Sequence, residues 1–365
     1  SPPDSEFEQK AARRLNDQAR PNGSLGMLED SARRLAGITK TLDARLARKV
    51  IVTCAGDHGV VAEGVSLFPQ EVTAQMVYNF VDGGASINVL ARHAGAEVRA
   101  ADLGVSHDFE TELPIFHKKI GNGTGNIRHE PAMTRDQAIL AIEAGISIVA
   151  ELTAGQRVDM LGTGDMGIGN TTPSTAVIAA FSGMAPEKLA GRGTGLDDAA
   201  LAHKIRVVKE ALALHQPDPS DPVDVLAKVG GFEIGGLAGL VIGAAACGIP
   251  VVCDGLIATA GALIACELAP VAKSYLFISH NSVEPGHRFM IDRLGIAPLL
   301  DLKLRLGEGT GAALAMEILD AAPRVVAEIR TFDEVCIRND EQQQPADTDE
   351  KPGTLFPGVV RNRLK

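Results

Sequence analysis

Aromatic side chains are scarce in this chain. They make up 4% of its 365 residues, and tryptophan is absent. The apolar share is nevertheless 45%, so a large core is possible but has to be built from Ala, Val, Ile and Leu. Such a composition is typical of helices packed on a parallel sheet. We therefore expect an α/β fold.

Runs of Lys and Arg are also missing, and the formal net charge is −11. This balance argues against a nucleic-acid surface, although one small anion needs only a local positive potential. The most apolar run, residues 237–246, is too short and too interrupted by glycine to span a bilayer. We expect neither nucleic acid nor a membrane as a partner.

The few cysteines show no spacing typical of a disulfide framework or a metal site. They are odd in number, without a CxxC pair: Cys54, Cys247, Cys253, Cys266 and Cys336. Most lie in apolar or glycine-flanked stretches, which indicates reduced and mostly buried thiols. Residues 1–10 are polar and charged rather than typical of a signal peptide. Together these features predict a cytoplasmic protein.

The chain changes character at Lys49. Residues 5–48 show helical periodicity that Pro21-Asn22-Gly23-Ser24 interrupts. After them, five short apolar runs each end in Gly, Asp or Ser-His and lead into a helical stretch: residues 50–53, 97–101, 158–161, 249–253 and 275–278. Five such units predict a mostly parallel sheet covered on both faces, with ligands beyond the carboxyl ends of its strands. The acidic, Gln-rich stretch 340–351 is expected to be disordered or loosely attached.

The first glycine-rich segment, residues 161–172, reads LGTGDMGIGNTT. We expect a turn at a strand end, where glycines admit a ligand and a helix N-terminus binds an anion, or a tight turn that only permits packing. Residues 162–167 also satisfy GxGxxG. A nicotinamide cofactor would need an acidic residue about 20 positions on. Only Glu187 is available, and it follows Pro186 instead of ending a second strand, which disfavours that cofactor.

The second glycine-rich segment is Gly191-Arg192-Gly193-Thr194-Gly195, before a helix that Asp197 or Asp198 can cap. Lys204 falls at the edge of the apolar stripe of that helix. Its ammonium group either extends past the stripe to solvent or points at a bound phosphate.

The third segment, residues 306–311, reads LGEGTG and precedes another helix. Glu308 either complements the dipole of that helix or acts as a general base. The dipole would lower the pKa of its carboxyl, whereas burial would raise it. His58 and His280 lie in turns without the partners of a metal site, so we interpret them as hydrogen-bonded loop histidines.

Taken together, these segments resemble the nicotinate-nucleotide–dimethylbenzimidazole phosphoribosyltransferase family. The similarity runs in the family's order through PNGSLG (21–26), GDHGV (56–60), GDMGIGNTTP (164–173), VGGFEIGGLAG (229–239), CDG (253–255), SH (279–280) and RLGEGTGAALAM (305–316). The resemblance implies transfer of phosphoribose from nicotinate mononucleotide to 5,6-dimethylbenzimidazole, giving α-ribazole 5′-phosphate and nicotinate. It implies no cofactor and no metal.

The resemblance also implies an architecture. A large Rossmann-like α/β domain would cover residues 49–300 and carry the active site. A small helical domain would come from both chain ends, 1–48 and 301–336. Residues 337–365 fall outside the resemblance, and their composition predicts a flexible tail. The family's architecture further implies a homodimer.

Site residues are implied position by position. Glu308 matches the family's general base, and Asp165 stands where the family usually has a second glutamate. The phosphoribosyl site would be formed by Gly167, Gly193, Thr194, Lys204, Asp254, Gly255 and Ser282. The base pocket would be formed by Phe68, Met76, Met166, Leu306 and Gly307. Its apolar character predicts acceptance of bases beyond dimethylbenzimidazole, such as purines or phenols.

Two other functions stay open from the sequence. The first is an NAD-linked oxidoreductase that uses the GTGDMG segment. The second is a non-catalytic sensor or partner subunit, which the shorter carboxylate of Asp165 would favour.

Overall fold

A six-stranded parallel sheet forms the centre of the molecule. The computed structural model describes residues 1–193 and 195–336. The strands are β1 (Lys49–Gly56), β2 (Ala96–Gly104), β3 (Phe116–His117), β4 (Met160–Met166), β5 (Val251–Cys253) and β6 (Leu276–Ile278). Their order is β3-β2-β1-β4-β5-β6, and each neighbouring pair is parallel. The predicted α/β class is confirmed; strand β3, which has only two residues, was not predicted from the sequence.

Thirteen α-helices surround this sheet in the described part of the chain. They are α1 (Ser5–Asn16), α2 (Met27–Thr39), α3 (Val72–Asp82), α4 (Ser86–Ala94), α5 (Arg135–Thr153), α6 (Thr171–Ser182), α7 (Asp198–His215), α8 (Pro222–Val229), α9 (Phe232–Ala246), α10 (Leu256–Leu268), α11 (Pro285–Leu294), α12 (Thr310–Glu328) and α13 (Phe332–Val335). No helix of residues 1–193 and 195–336 is long and apolar enough to cross a membrane.

The helices cover both faces of the sheet, as predicted. On one face α12 packs against Gly162 of β4, and on the other α9 packs against Gly56 of β1 and Gly104 of β2. Helices α1 and α2 pack on each other and on α12, which brings the two ends of the described chain together. Helix α9 is buried over almost its whole length, between the sheet, α5 and α10. Its all-round apolar sequence is therefore buried in the core of this chain.

The first glycine-rich segment is a strand where the sequence predicted a turn. Residues 162–166 belong to β4, the turn comes at residues 167–170, and α6 begins at Thr171. Glycine is needed in this strand because the chain before α12 packs directly against it. A Cβ on Gly164 would lie 2.2 Å from the Glu308 carbonyl oxygen. The GxGxxG match therefore does not form the strand-to-helix turn that a dinucleotide site requires.

Other local predictions have mixed outcomes. Asp197 caps α7 by accepting a hydrogen bond from the backbone N–H of Ala200 at 2.8 Å, as predicted. All five cysteines are free thiols; two are buried, but Cys247 and Cys336 are exposed. The burial prediction was wrong for Cys247 because it lies just after the end of α9. The predicted tail, residues 337–365, and Thr194 lie outside the described residues.

Candidate active site

A cavity of about 340 Å³ lies beyond the carboxyl end of β4. Strand order reverses between β1 and β4, and ligands of open α/β sheets bind at such a switch point. Eight predicted site residues line the cavity: Phe68, Met76, Asp165, Met166, Gly167, Gly193, Leu306 and Glu308. Its other lining residues are Val65, Ser66, Val72, Ile168, Gly169, Asn170, Thr171 and Arg192. The structure thus brings the proposed catalytic pair and most of the proposed base pocket together.

The main chain holds Glu308 in a left-handed conformation with φ 63°. The backbone N–H of Glu308 donates to the Asp165 carbonyl oxygen at 3.2 Å. The hydroxyl of Thr53 donates to the Glu308 carbonyl oxygen at 2.9 Å. Hydrogen bonds to two neighbouring strands, β1 and β4, therefore fix the position of the Glu308 main chain.

The Glu308 carboxyl group is buried, with only 6% of the residue exposed. Its Oε2 accepts a hydrogen bond from the backbone N–H of Ile87, in the first turn of α4, at 3.1 Å. Burial raises the pKa of the Glu308 carboxyl, and the hydrogen bond from Ile87 opposes this only in part. The carboxylate thus binds the N-terminus of α4 and also lines the cavity, where a raised pKa would suit a general base.

Asp165 lies beside the Glu308 segment at the end of β4. Its Oδ2 accepts a hydrogen bond from the Asn170 side-chain amide at 2.9 Å, and its Oδ1 is buried without a partner among the described residues. Burial raises the pKa of Asp165 well above its usual range, and the nearby carboxylates of Asp254, Glu233 and Glu308 raise it further. When two carboxyl groups share a buried site, a proton on one favours ionisation of the other. Burial and the neighbouring carboxylates therefore favour the protonated form of Asp165.

The Asp254 carboxyl group accepts hydrogen bonds from the backbone at the start of α12. Its Oδ2 accepts from the backbone N–H of Gly309 at 3.0 Å, and its Oδ1 accepts from those of Gly311 and Ala312 at 2.8 and 3.2 Å. Burial raises the pKa of Asp254 to about 7, although these hydrogen bonds lower it. Because its oxygens face helix N–H groups, Asp254 supports the chain after Glu308 and is not among the residues that line the cavity.

Three further predicted residues lie around the site without lining either cavity described here. Gly255 precedes α10, and a Cβ at this position would lie 3.5 Å from the His280 ring. The backbone N–H of Ser282 donates to Nδ1 of His287 at 3.2 Å. A Cβ on Gly307 would lie 3.0 Å from Asp165 Oδ2, so this glycine permits close approach to that carboxyl group.

A second cavity, of about 440 Å³, shares Arg192 and Gly193 with the first. Its remaining lining residues are Ala190, Gly191, Gly195, Leu201, Val283, Glu284, Pro285 and Arg305. Three glycines of the second glycine-rich segment, Gly191, Gly193 and Gly195, and two arginines line it. These are groups that bind phosphate in proteins.

Lys204 lies behind this loop and is completely buried. Its Nζ donates to the Thr171 hydroxyl at 2.7 Å and to the Gly191 carbonyl oxygen at 3.2 Å. Burial lowers the pKa of the lysine to about 8, and the charge of Glu284 opposes this. The alternative in which its ammonium group extends to solvent is therefore wrong, because the side chain points inward at the loop.

The two turn histidines are buried and hydrogen-bonded. His58 Nε2 lies 2.8 Å from Glu233 Oε1, and His280 Nδ1 lies 2.9 Å from the Ser279 hydroxyl. Among residues 1–193 and 195–336 no group of three or more His, Cys, Asp or Glu side chains is placed to hold a metal ion.

Several residues of the two cavities were missed from the sequence. Asn170 and Thr171 belong to the quoted GDMGIGNTTP motif, and Arg192 and Arg305 belong to or flank glycine-rich segments, so motif position could have identified them. Glu284 had no such signal. It follows Ser282 by two residues and enters the site only because its loop folds against residues 191–193.

We expect Gly164→Ala to destabilise the protein, because the new methyl group would meet the main chain of Glu308 and Gly309 at 2.2–2.8 Å. Overpacking of this kind costs about 1–3 kcal/mol of unfolding free energy. Gly155→Ala is the matched control, since no atom lies within 4 Å of its added Cβ. Urea unfolding of both variants measures the difference. Equal unfolding free energies would contradict the close contact between β4 and the Glu308 segment.

Comparisons with known proteins agree with one another. A model of the phosphoribosyltransferase family matches residues 1–337. A nicotinate-nucleotide–dimethylbenzimidazole phosphoribosyltransferase of Geobacter sulfurreducens is 56% identical over 333 residues, covering 91% of this chain and 94% of that protein. One of Chloroflexus aggregans is 54% identical over 325 residues, covering 89% and 92%. The crystal structure of CobT from Thermus thermophilus superposes with a TM-score of 0.87 at 43% identity, covering 91% of this chain and 99% of that one.

Proposed function

Since the chain belongs to the nicotinate-nucleotide–dimethylbenzimidazole phosphoribosyltransferase family, as its motifs predicted, we propose that it transfers phosphoribose from nicotinate mononucleotide to 5,6-dimethylbenzimidazole or a related base. The products are α-ribazole 5′-phosphate and nicotinate, and the reaction serves assembly of the cobalamin nucleotide loop. The observation that carries this proposal is the Glu308 carboxyl group. It is buried and has a raised pKa, and it faces an apolar cavity that continues into a cation-lined one.

The first cavity suits a flat apolar base. Phe68, Val72, Met76 and Met166 supply apolar walls, and Leu306 stands at its exposed rim. Methionine side chains adapt their shape and make favourable contacts with aromatic rings. The carboxyl groups of Glu308 and Asp165 line the same cavity as these apolar side chains. A bound benzimidazole would therefore present its ring nitrogens to a carboxylate.

Glu308 would act as the general base. One ring nitrogen of the incoming base attacks C1′ of the ribose, and the proton on the other ring nitrogen passes to the Glu308 carboxylate. The bond from C1′ to the pyridinium nitrogen of nicotinate breaks, and its electron pair stays with nicotinate. Positive charge develops on the ribose during this step, and nearby negative charge stabilises it. Attack on the face opposite the leaving group converts the β configuration into α.

The second cavity would hold the phosphate. Backbone N–H groups of the glycine-rich loop would donate hydrogen bonds to phosphate oxygens. Arg305, which donates to the Gly193 carbonyl oxygen, and Arg192, which pairs with Asp198, would add positive charge at the cavity wall. Lys204 adds a third positive charge from the buried side of the glycine-rich loop. Because the lysine is completely buried, its charge acts through a medium of low dielectric constant. This end of the site would fix the ribose so that C1′ lies beside Glu308.

An assay with purified protein tests the function. The enzyme is incubated with nicotinate mononucleotide and dimethylbenzimidazole, and in parallel with a purine or a phenol, and the products are identified by mass spectrometry. We expect nicotinate and an α-nucleotide, with turnover of more than one acceptor. Turnover of dimethylbenzimidazole alone would contradict the wider acceptance. Tight binding of NAD without nicotinate release would favour an oxidoreductase. The absence of any reaction would favour a non-catalytic subunit.

We also propose that the protein is a cytoplasmic homodimer. The five free thiols are consistent with a reducing compartment. Sedimentation equilibrium at micromolar concentration tests the dimer. A mass equal to the 38.2 kDa of one chain would contradict it.

A further inference from the structure

Glu284 is a buried carboxylate in the second cavity for which the proposed reaction has no role. The residue is 6% exposed and directly precedes α11. Its Oε1 accepts a hydrogen bond from the backbone N–H of Gly193 at 2.9 Å. Its Oε2 is buried without a hydrogen-bond partner among the described residues. One oxygen of this carboxylate is therefore bound to the glycine-rich loop, and the other lacks a hydrogen bond within the described residues.

The carboxylate is packed tightly against the loop. A Cβ on Gly191 would lie 1.8 Å from Glu284 Oε2, so only glycine allows this approach. The same loop residue contacts Lys204, whose Nζ donates to the Gly191 carbonyl oxygen. Both hydrogen-bond acceptors of the buried ammonium group, this carbonyl and the Thr171 hydroxyl, are neutral. Glu284 is the acidic group whose charge acts most on it.

A buried cation needs a compensating negative charge. Here Glu284 provides it, and it also occupies a loop N–H that an anion would use. A phosphate in the same cavity brings two negative charges of its own at neutral pH. It would meet the carboxylate as a like charge in a region of low dielectric constant, where such repulsion is strong. Glu284 and the phosphate therefore cannot both bind the loop without a large cost.

We propose that Glu284 is an internal counterion of the phosphate loop, and that the phosphate of the substrate displaces its carboxylate from Gly193. This inference rests on the proposed function in one respect, namely that a phosphate binds at Gly191 and Gly193. Before binding, Glu284 balances Lys204 and holds the loop in shape. After binding, the phosphate takes the Gly193 N–H and the compensation of Lys204. Because the product also carries a phosphate, the returning carboxylate favours its release.

The test is the affinity of Glu284→Gln for inorganic phosphate and for nicotinate mononucleotide, measured by isothermal titration calorimetry. Glutamine keeps the shape of the side chain but carries no charge. Juxtaposed like charges weaken complexes strongly, so we expect both ligands to bind at least about 10-fold more tightly to the variant. Glu187→Gln is the control. Its carboxylate pairs with Lys209 on the surface, outside both cavities, and its removal is expected to leave both affinities unchanged.

Other outcomes have definite meanings. Unchanged or weaker phosphate binding in Glu284→Gln would overturn the proposal. Weaker binding of the nucleotide alone would also overturn it, and would instead assign the carboxylate to a ribose hydroxyl. If Glu284→Gln does not fold, Glu284→Asp retains the charge but withdraws it from Gly193, and we expect tighter phosphate binding there too; no tightening would overturn the proposal. Nicotinate release by the unmodified enzyme keeps a failure here distinct from a failure of the proposed function.

Discussion

Glu308→Gln is expected to slow nicotinate release at least 100-fold at saturating substrate. General bases contribute about 10²–10⁴ to rate, and an amide cannot take the proton from the incoming base. The glutamine oxygen can still accept the hydrogen bond from the Ile87 N–H, so the fold and the cavity should persist. The loss is therefore expected in kcat, with a much smaller change in KM.

The pH profile separates a proton acceptor from a residue that only shapes the site. The base works only when ionised, so the rate of the unmodified enzyme should fall as pH falls through the pKa of Glu308. Burial raises that pKa, so the acidic limb should begin above the usual range for glutamate. The residual rate of Glu308→Gln should lack this limb. Glu317→Gln, on the helix α12 that follows Glu308 and half-exposed near Lys49, is the control. A variant at position 308 with more than a tenth of the normal rate would contradict the assignment.

Lys204→Met is expected to raise the KM for nicotinate mononucleotide by about 10²-fold. A hydrogen bond to a charged group contributes about 1.5–3 kcal/mol, which corresponds to roughly 10- to 150-fold in affinity. Methionine has a similar length and is apolar, so it fits a completely buried position. The Thr171 hydroxyl and the Gly191 carbonyl would lose a donor, which costs some stability but leaves the cavity in place.

The titration of Lys204 gives this variant its own signature. Burial lowers the pKa of the lysine to about 8. The ammonium group is charged below that value and neutral above it. The KM of the unmodified enzyme should therefore rise as pH increases through about 8, and Lys204→Met should not show this rise. Lys209→Met, an exposed position on the same helix α7, is the control. An unchanged KM in Lys204→Met would contradict the proposal that the phosphate binds at this loop.

Local sequence patterns predicted the architecture well where local chemistry decides it. The short apolar runs correspond to β1, β2, β4, β5 and β6, because buried parallel strands need continuous apolar residues. Asp197 could be identified as a cap because its side chain acts on a residue three positions away. The resemblance added the site residues, since motif order along the chain places them without any knowledge of distances.

Glu308 is an example of a site residue whose environment cannot be predicted from the sequence alone. Its position between two glycines before a helix was visible in the sequence, but the direction of its pKa shift was not. That direction depends on burial beneath β1 and β4 and on the N–H of Ile87, which lies 221 positions earlier in the chain. Burial and long-range hydrogen bonds come from packing, which local patterns do not encode.

Local composition and motif order are enough to predict the strand-and-helix alternation, the glycine-rich segments and the carboxylate at position 308. Three other features depend on packing: residues 162–166 form a strand, Lys204 points inward, and Glu284 enters the site. These three features have one cause. A glycine, a lysine or a glutamate is compatible with several environments, and the free energy that selects among them comes from neighbours distant in the chain.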